Sequence, residues 1–309
     1  MDITQAIHAV AAAARPAAAG GNVADYIPQL RDIDPGLFGL AVIELDGTEH
    51  VVGDVDIPFA IQSMSKVFSL VLAMQKIGGE RAVRREIWER VGREPSGDPF
   101  NSLVQLEYEC GIPRNPMINA GALIVDDLLI EHCDDPIASI LGLVRELAGE
   151  EVEMDLAVAV AEDKSSQRNR AMASLMDSFD NLVHSVDHVI DVYNKQCSLM
   201  MTTRHIARAM RFLANDGIDP ASGRQILSAP LAKRVMAVML TCGTYDAAGE
   251  FAFSVGLPCK SGVAGSIMAA APDHSGICVW SPPLDSTGNS LAGRVALHDL
   301  TDRLDLSIF

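Results

Sequence analysis

The stretch Gln62-Ser63-Met64-Ser65-Lys66 heads an apolar run over residues 67–74. Read as a helix start, it sets Ser63 and Lys66 three residues apart, one turn on one face, so a hydroxyl and an amine become neighbours. A serine at a helix N-terminus also has backbone N–H groups pointing at it, which suit a developing negative charge. A hydroxyl becomes a strong nucleophile only when a base takes its proton. A lysine can be that base only if burial or nearby positive charge lowers its pKa. Phe59-Ala60-Ile61 before the pair and the apolar run after it supply the burial.

Taken alone, the same residues better describe an N-cap serine followed by a solvated lysine. Two features weigh against that. The helix is apolar on nearly every face, so a buried Lys66 requires a partner. Near the other end of the chain, Lys260-Ser261-Gly262 supplies a second short motif, and a Ser-x-x-Lys pair joined to such a motif belongs to acyl-transferring serine enzymes.

The surrounding chain is built for a large core. It has 309 residues, 49% of them hydrophobic, enough for one large or two intertwined domains. The formal net charge of −17 argues against nucleic acid and against an anionic membrane surface, both of which are held by Lys and Arg. The first residues, Met1-Asp2-Ile3-Thr4-Gln5, carry no basic head, and Arg15-Pro16 interrupts the apolar residues 11–14, so no secretory signal is expected. No run of 18 apolar residues predicts a membrane span. Cys110, Cys133, Cys197, Cys242, Cys259 and Cys278 are scattered. They read as reduced thiols of a cytoplasmic protein, not as a metal cage or disulfide frame.

Working outward, residues 4–14 predict an amphipathic helix capped by Thr4. Residues 37–45 predict a buried strand, Asp46-Gly47 a hairpin turn, and His50-Val51-Val52 the start of the return strand. The Ser63 helix closes at Gly78-Gly79. Residues 82–91, 120–132, 136–148, 155–161, 169–179, 185–194, 203–215 and 229–240 repeat apolar side chains at three and four, as helices do. Residues 93–99 and 111–116 read as loops. From residue 242 the pattern reverts: 251–255 alternates like a strand, 266–271 and 277–280 are short apolar runs, and 272–276 joins them as a hairpin turn. Ser290 caps a last helix ending at Leu304. The expected fold class is therefore α+β. Residues 1–62 and 241–309 form one discontinuous domain, an antiparallel sheet with terminal helices, residues 63–240 form a helical lobe, and the active site lies in the cleft between.

At Ser63-x-x-Lys66 and Lys260-Ser261-Gly262 the chain resembles the β-lactamase and penicillin-binding-protein superfamily, with its transpeptidase-like fold. Further blocks narrow this to one branch. Asp25-Tyr26-Ile27-Pro28-Gln29-Leu30, Ile61-Gln62-Ser63-x-Ser65-Lys66, Glu94-Pro95-Ser96-Gly97, Asn115-Pro116-Met117-Ile118-Asn119-Ala120-Gly121-Ala122, Ala248-Gly249-Glu250-Phe251 and Asn289-Ser290-Leu291-Ala292-Gly293 resemble the serine-dependent glutaminases over almost the whole chain. The resemblance implies hydrolysis of L-glutamine to L-glutamate and ammonia, with no metal or other cofactor, by a homodimer or homotetramer. It implies Ser63 as nucleophile and Lys66 as its base partner. It places Asn119, Glu162, Asn169, Tyr193, Tyr245 and Val263 at substrate-binding positions and Tyr26 near the site. No Ser-Asp-Asn motif is visible, so a tyrosine is expected to relay the proton, Tyr245 being the candidate. Lys260 is expected to hold positive charge near Lys66 and depress its pKa.

Local pattern alone leaves each of these residues a plainer role. Asn119 and Asn169 equally suit helix caps, Tyr193 and Tyr245 suit the core, and Glu162 lies in a polar stretch where a solvated charge is ordinary. The histidines show no metal spacing: His184 and His188 are four apart, but no Glu follows His184. The amino-acid substrate nonetheless explains the set. Two Asn and a Tyr donate to a carboxylate, and a Glu answers an ammonium. Two rivals remain. Another serine acyl hydrolase of the superfamily would turn over nitrocefin. A non-catalytic amino-acid-binding protein would have no need of the Ser63–Lys66 pair.

Overall fold

The computed structural model describes residues 2–96 and 102–309. The loop expected over residues 93–99 falls partly beyond them, since Gly97, Asp98 and Pro99 lie outside the described residues. The architecture is the expected α+β class, with an antiparallel sheet and many helices.

In chain order the helices are α1 (Ile3–Ala14), α2 (Pro28–Arg31), α3 (Ser65–Ile77), α4 (Glu80–Glu86), α5 (Leu103–Tyr108), α6 (Asn119–His132), α7 (Pro136–Ala148), α8 (Leu156–Ser165), α9 (Gln167–Ser178), α10 (Val186–Cys197), α11 (Thr203–Ala214), α12 (Ala229–Cys242), α13 (Ala248–Ser254) and α14 (Leu291–Leu304). The strands are β1 (Gly39–Glu44), β2 (Glu49–Gly53), β3 (Phe59–Ala60), β4 (Glu153–Met154), β5 (Leu199–Met201), β6 (Cys259–Gly262), β7 (Ser266–Ala271) and β8 (Ser275–Trp280).

Strand order in the main sheet is β2-β1-β8-β7-β6, all antiparallel. The Asp46-Gly47 hairpin turns as expected: Asp46 Oδ1 accepts from Thr48 N at 2.8 Å and Gly47 takes φ +93°. The longest step in sequence is β1 to β8, with Leu40 opposite Val279. Both faces of the sheet are covered, so β7 and β8 are buried at every position. Their period of two divides the core. Ile267, Ala269, Ile277 and Val279 face α1 and α14. Met268, Ala270, Cys278 and Trp280 face α11 and the large helical cluster.

Three local expectations are corrected. Asp2, not Thr4, occupies the N-cap position of α1, and Thr4 Oγ1 bonds His50 Nδ1 at 2.8 Å instead. The helix expected over 82–91 stops at Glu86, although Val83, Ile87 and Val91 stay buried at a spacing of four through the turns that follow. Residues 251–255 are not a strand: they belong mostly to α13. Phe251 and Val255 are buried while Phe253 is 91% exposed. Alternating aromatics in five residues fit either period, and the burial of Ala248, Phe251 and Val255 at steps of three and four decides for the helix.

Helix α3 runs through the middle, buried at every residue from 65 to 74, against α6, α7 and α12. Beside it lies the small sheet β3-β5-β4. Among the described residues no helix is long and apolar enough to cross a membrane, and no cluster of His, Cys, Asp or Glu could hold a metal ion.

Candidate active site

Ser63 does not sit in α3 itself. A 3-10 turn, Gln62–Met64, carries it, and α3 begins at Ser65. Gln62 adopts φ +50°, a left-handed backbone that a non-glycine residue holds only when its surroundings impose it. Two side-chain bonds impose it here: Gln62 Nε2 donates to Glu162 Oε1 at 3.0 Å, and Gln62 Oε1 accepts from the Tyr26 hydroxyl at 3.3 Å. The Tyr26 hydroxyl also donates to Glu162 Oε1 at 2.9 Å. Thus Tyr26 and Glu162, 136 residues apart, meet over the residue before Ser63. Burial raises the pKa of Glu162, and the bonds from Tyr26 and Gln62 and the charge of Lys66 oppose that rise.

Lys66 is 1% exposed. Its Nζ donates to Asn119 Oδ1 at 2.6 Å and to Met117 O at 3.4 Å, and lies 5.6 Å from the Tyr193 ring. All three partners leave the amine free to lose its proton, because a carbonyl or a ring face demands no permanent charge as a carboxylate would. Burial lowers the Lys66 pKa to about 8, with the charges of Asp126 and Glu162 and the Cys197 thiol pulling the other way. Burial is thus the leading cause of the lowered Lys66 pKa.

The helix-cap alternatives for the two asparagines fail. Ile118 and Ser166 hold the N-cap positions of α6 and α9. Asn119 instead reaches across to α9, donating from Nδ2 to Asn169 Oδ1 at 3.0 Å. The turn before α6 is fixed by Asn115, whose Oδ1 accepts from Met117 N and Ile118 N. Gly121 lets that turn lie on the helix, since a Cβ there would sit 1.9 Å from Asn115 O.

The other wall is β6 and the segment leading to it. Tyr245 adopts φ +55°, the second strained non-glycine residue of the site. Its hydroxyl donates to Ser261 O at 3.2 Å and is hydrogen-bonded with Ser63. Burial raises the Tyr245 pKa while the Ser63 bond opposes, so the phenol stays protonated at neutral pH. Lys260, fully buried, donates to Ser261 O at 2.7 Å and lies 4.6 Å from the Tyr245 ring. Burial first, then the charge of Lys66, holds its pKa well below the usual lysine range. Gly262 brings β6 against the Ser63 turn: a Cβ there would meet Ile61 O at 2.9 Å. Val263 follows directly in the β6–β7 turn.

Several neighbours had no role assigned from the sequence. Gln62 and Asn289 lie within the family-like blocks, but only their bonds show what they do. Cys197 lies one helical turn past Tyr193 on α10, hydrogen-bonded to it and pushed up to about 12 by burial. Asp126 is buried behind Lys66 on α6, held by Gln196 Nε2 at 3.0 Å, and burial raises its pKa well above the carboxylate range. Asn289 is fully buried and ties the two halves of the β6 wall together. It donates from Nδ2 to Thr244 O at 3.1 Å and accepts from the Ser261 hydroxyl at Oδ1. An i, i+4 step from Tyr193 points to Cys197; nothing local points to Asp126.

The geometry thus unites a turn-borne serine, a buried lysine of lowered pKa, a protonated tyrosine, two amides and one carboxylate through a set of direct contacts. The family profile described as Glutaminase matches residues 21–309. A protein from Methylobacterium sp. (strain 4-46) named Glutaminase is 48% identical over 311 residues, covering 100% of this chain and 99% of the relative. The solved structure of a probable glutaminase, ybaS, superposes with TM-score 0.93 at 34% identity, covering 99% of this chain and 98% of that one. A probable glutaminase from Bacillus subtilis complexed with 6-diazo-5-oxo-L-norleucine gives TM-score 0.87 at 34% identity, covering 100% and 97%.

Proposed function

The chain belongs to the glutaminase family and hydrolyses L-glutamine to L-glutamate and ammonia, and we propose that it does so through a γ-glutamyl ester on Ser63. In this reading Ser63 Oγ attacks the side-chain amide carbon while neutral Lys66 takes its proton. The oxyanion is met by the backbone N–H groups of Ser63 and Val263, with Gly262 allowing the close approach. The C–N bond then breaks, and Tyr245, still a phenol, passes a proton to the departing ammonia. Water hydrolyses the ester by the same route reversed.

Recognition follows from charge. Asn119, Asn169 and Tyr193 offer donors to the α-carboxylate, and Glu162, fixed by Tyr26 and Gln62, answers the α-ammonium. Lys260 props Tyr245 from below its ring. The observation that carries the proposal is Lys66 itself: a fully buried amine with a lowered pKa, held by an amide oxygen one helical turn from Ser63.

The same proposal places the cleft between the discontinuous sheet unit, 1–62 and 241–309, and the helical unit, 63–240. It also places the chain in the cytoplasm as a homodimer or homotetramer. Light scattering on the purified protein measures the assembly.

Ammonia release tests the chemistry. Wild type is expected to turn over glutamine, and Ser63→Ala to lose turnover by about 10⁴-fold or more with its melting temperature unchanged. Asparagine, one methylene shorter, misplaces the amide and should react about a hundredfold more slowly. Substantial turnover by Ser63→Ala would remove the nucleophile assignment.

A further inference from the structure

Most arginines of this acidic chain are matched to carboxylates. Arg90 pairs with Asp127, Arg204 and Arg208 with Glu49, and Arg224 with Glu146. Arg81, Arg84 and Arg93 differ: among the described residues none of them forms an ion pair, and all three line one cavity of about 650 Å³. That cavity is the groove between α4 and α12, away from Ser63 and the residues around it.

The groove is built from two matched stripes. Arg81, Arg84 and Trp88 recur at three and four along α4 and the turn beyond it. Leu231, Arg234 and Val238 recur at three and four along α12. Leu231 and Val238 are buried, so they and Trp88 make an apolar floor. Four guanidinium groups stand around it, and Glu80, 3.8 Å from Arg234, is the carboxylate among the lining residues.

This combination selects its ligand. A guanidinium fork suits a carboxylate or phosphate group, which takes two hydrogen bonds at once. An indole face with two aliphatic neighbours suits a flat apolar body. The volume falls in the range of small-molecule sites. A polyanion such as nucleic acid is excluded, because beyond the groove it would meet the field of a chain with net charge −17. We propose that the groove between α4 and α12 binds a small organic anion, a planar apolar body bearing a phosphate or a carboxylate.

The groove also touches the catalytic wall. Thr241 lines it, and α12 runs on through Cys242 to Gly243-Thr244-Tyr245. Cys242 Sγ donates to Arg93 O at 3.9 Å. An occupant bridging Arg93 and Arg234 therefore bears on the segment that carries Tyr245.

The test uses phenyl phosphate, benzoate and inorganic phosphate as probes, with saturating L-glutamate occupying the catalytic cleft. The chain has two tryptophans. Trp280 is buried and stacked on Phe59 at 4.5 Å, so fluorescence changes report Trp88, and Trp88→Phe should abolish them. At least one organic probe is expected to bind, one per chain by calorimetry, and more tightly than inorganic phosphate. The tighter of phenyl phosphate and benzoate identifies the head group. Arg84→Gln should weaken binding about tenfold, and Arg84→Gln with Arg234→Gln about a hundredfold. Because both arginines are exposed, melting temperature and glutamine turnover without probe should not change. Three results overturn the proposal: no binding of either organic probe at millimolar concentration, undiminished binding in the double variant, or inorganic phosphate binding as tightly as both organics.

Discussion

The five-stranded sheet and the seam around Ser63 are held together by opposite means. In the sheet, β7 and β8 bury every residue in regular extended backbone, and alternate side chains serve two apolar clusters. In the seam, two non-glycine residues, Gln62 and Tyr245, sit at positive φ, and two lysines, Lys66 and Lys260, are buried. Each such feature costs stability when taken alone. The sheet supplies the surplus that the seam consumes, and the seam's strained geometry is what presents Ser63, Lys66 and Tyr245 to one another.

That contrast can be broken at either side. The largest expected effect is on turnover, at Lys66. Lys66→Met should lower it about 10⁴-fold, as loss of a partner in a catalytic pair does. Its melting temperature should hold or rise. The lowering of the Lys66 pKa from 10.5 to about 8 corresponds to about 3 kcal/mol of destabilisation in the charged form. The orphaned Asn119 Oδ1 returns about 1–3 kcal/mol of that. Calorimetry with an ammonia assay measures both.

In the sheet the signs reverse. Val279→Ala, at a fully buried position of β8, should cost about 1–4 kcal/mol in urea unfolding through the cavity it leaves. The kcat of the folded fraction should stay within a factor of about two, since the site is not touched.

Asn289→Ala lies between the two regimes. It severs Thr244 from Ser261 and so loosens Tyr245. We expect kcat to fall about tenfold with little change in KM, and a loss of about 1–3 kcal/mol in stability. Asn289→Ser, which can keep one of the bonds, should recover part of the rate. A structural role alone would lower stability without splitting kcat from KM.

The mildest probe is pH. Lys66 acts in its neutral form, so kcat/KM should rise as pH increases, about tenfold per unit at first, and level off above about 8. A rising limb near 10.5 would mean that Lys66 is not the group, or that burial does not tune it.

The sheet was the more legible of the two regions because its signals are local. The apolar runs over 37–45, 266–271 and 277–280, and the Asp46-Gly47 turn, are visible in a few residues each. Ser63 and Lys66 were legible for the same reason, being one turn apart. What escaped was either ambiguous or remote. Five residues at 251–255 fit two periods, and the burial of Ala248, Phe251 and Val255 decides. The bonds that hold Gln62 come from Tyr26 and Glu162, and the link between Thr244 and Ser261 comes from Asn289. No spacing rule predicts contacts over such separations. The asparagines fit two roles because a short amide side chain suits a cap as well as a ligand. Lys260 was legible as a motif, but the leading cause of the Lys66 shift is the apolar packing around α3, a sum over many residues.

The most direct test is acid quench of the enzyme in steady-state turnover of L-glutamine, followed by mass analysis of the peptide bearing Ser63. The account predicts a γ-glutamyl increment on that peptide, lost in Ser63→Ala and discharged by hydroxylamine. Full-rate turnover by Ser63→Ala, together with no γ-glutamyl hydroxamate when hydroxylamine is present during wild-type turnover, would mean that water attacks the amide directly and that Ser63 is not the nucleophile.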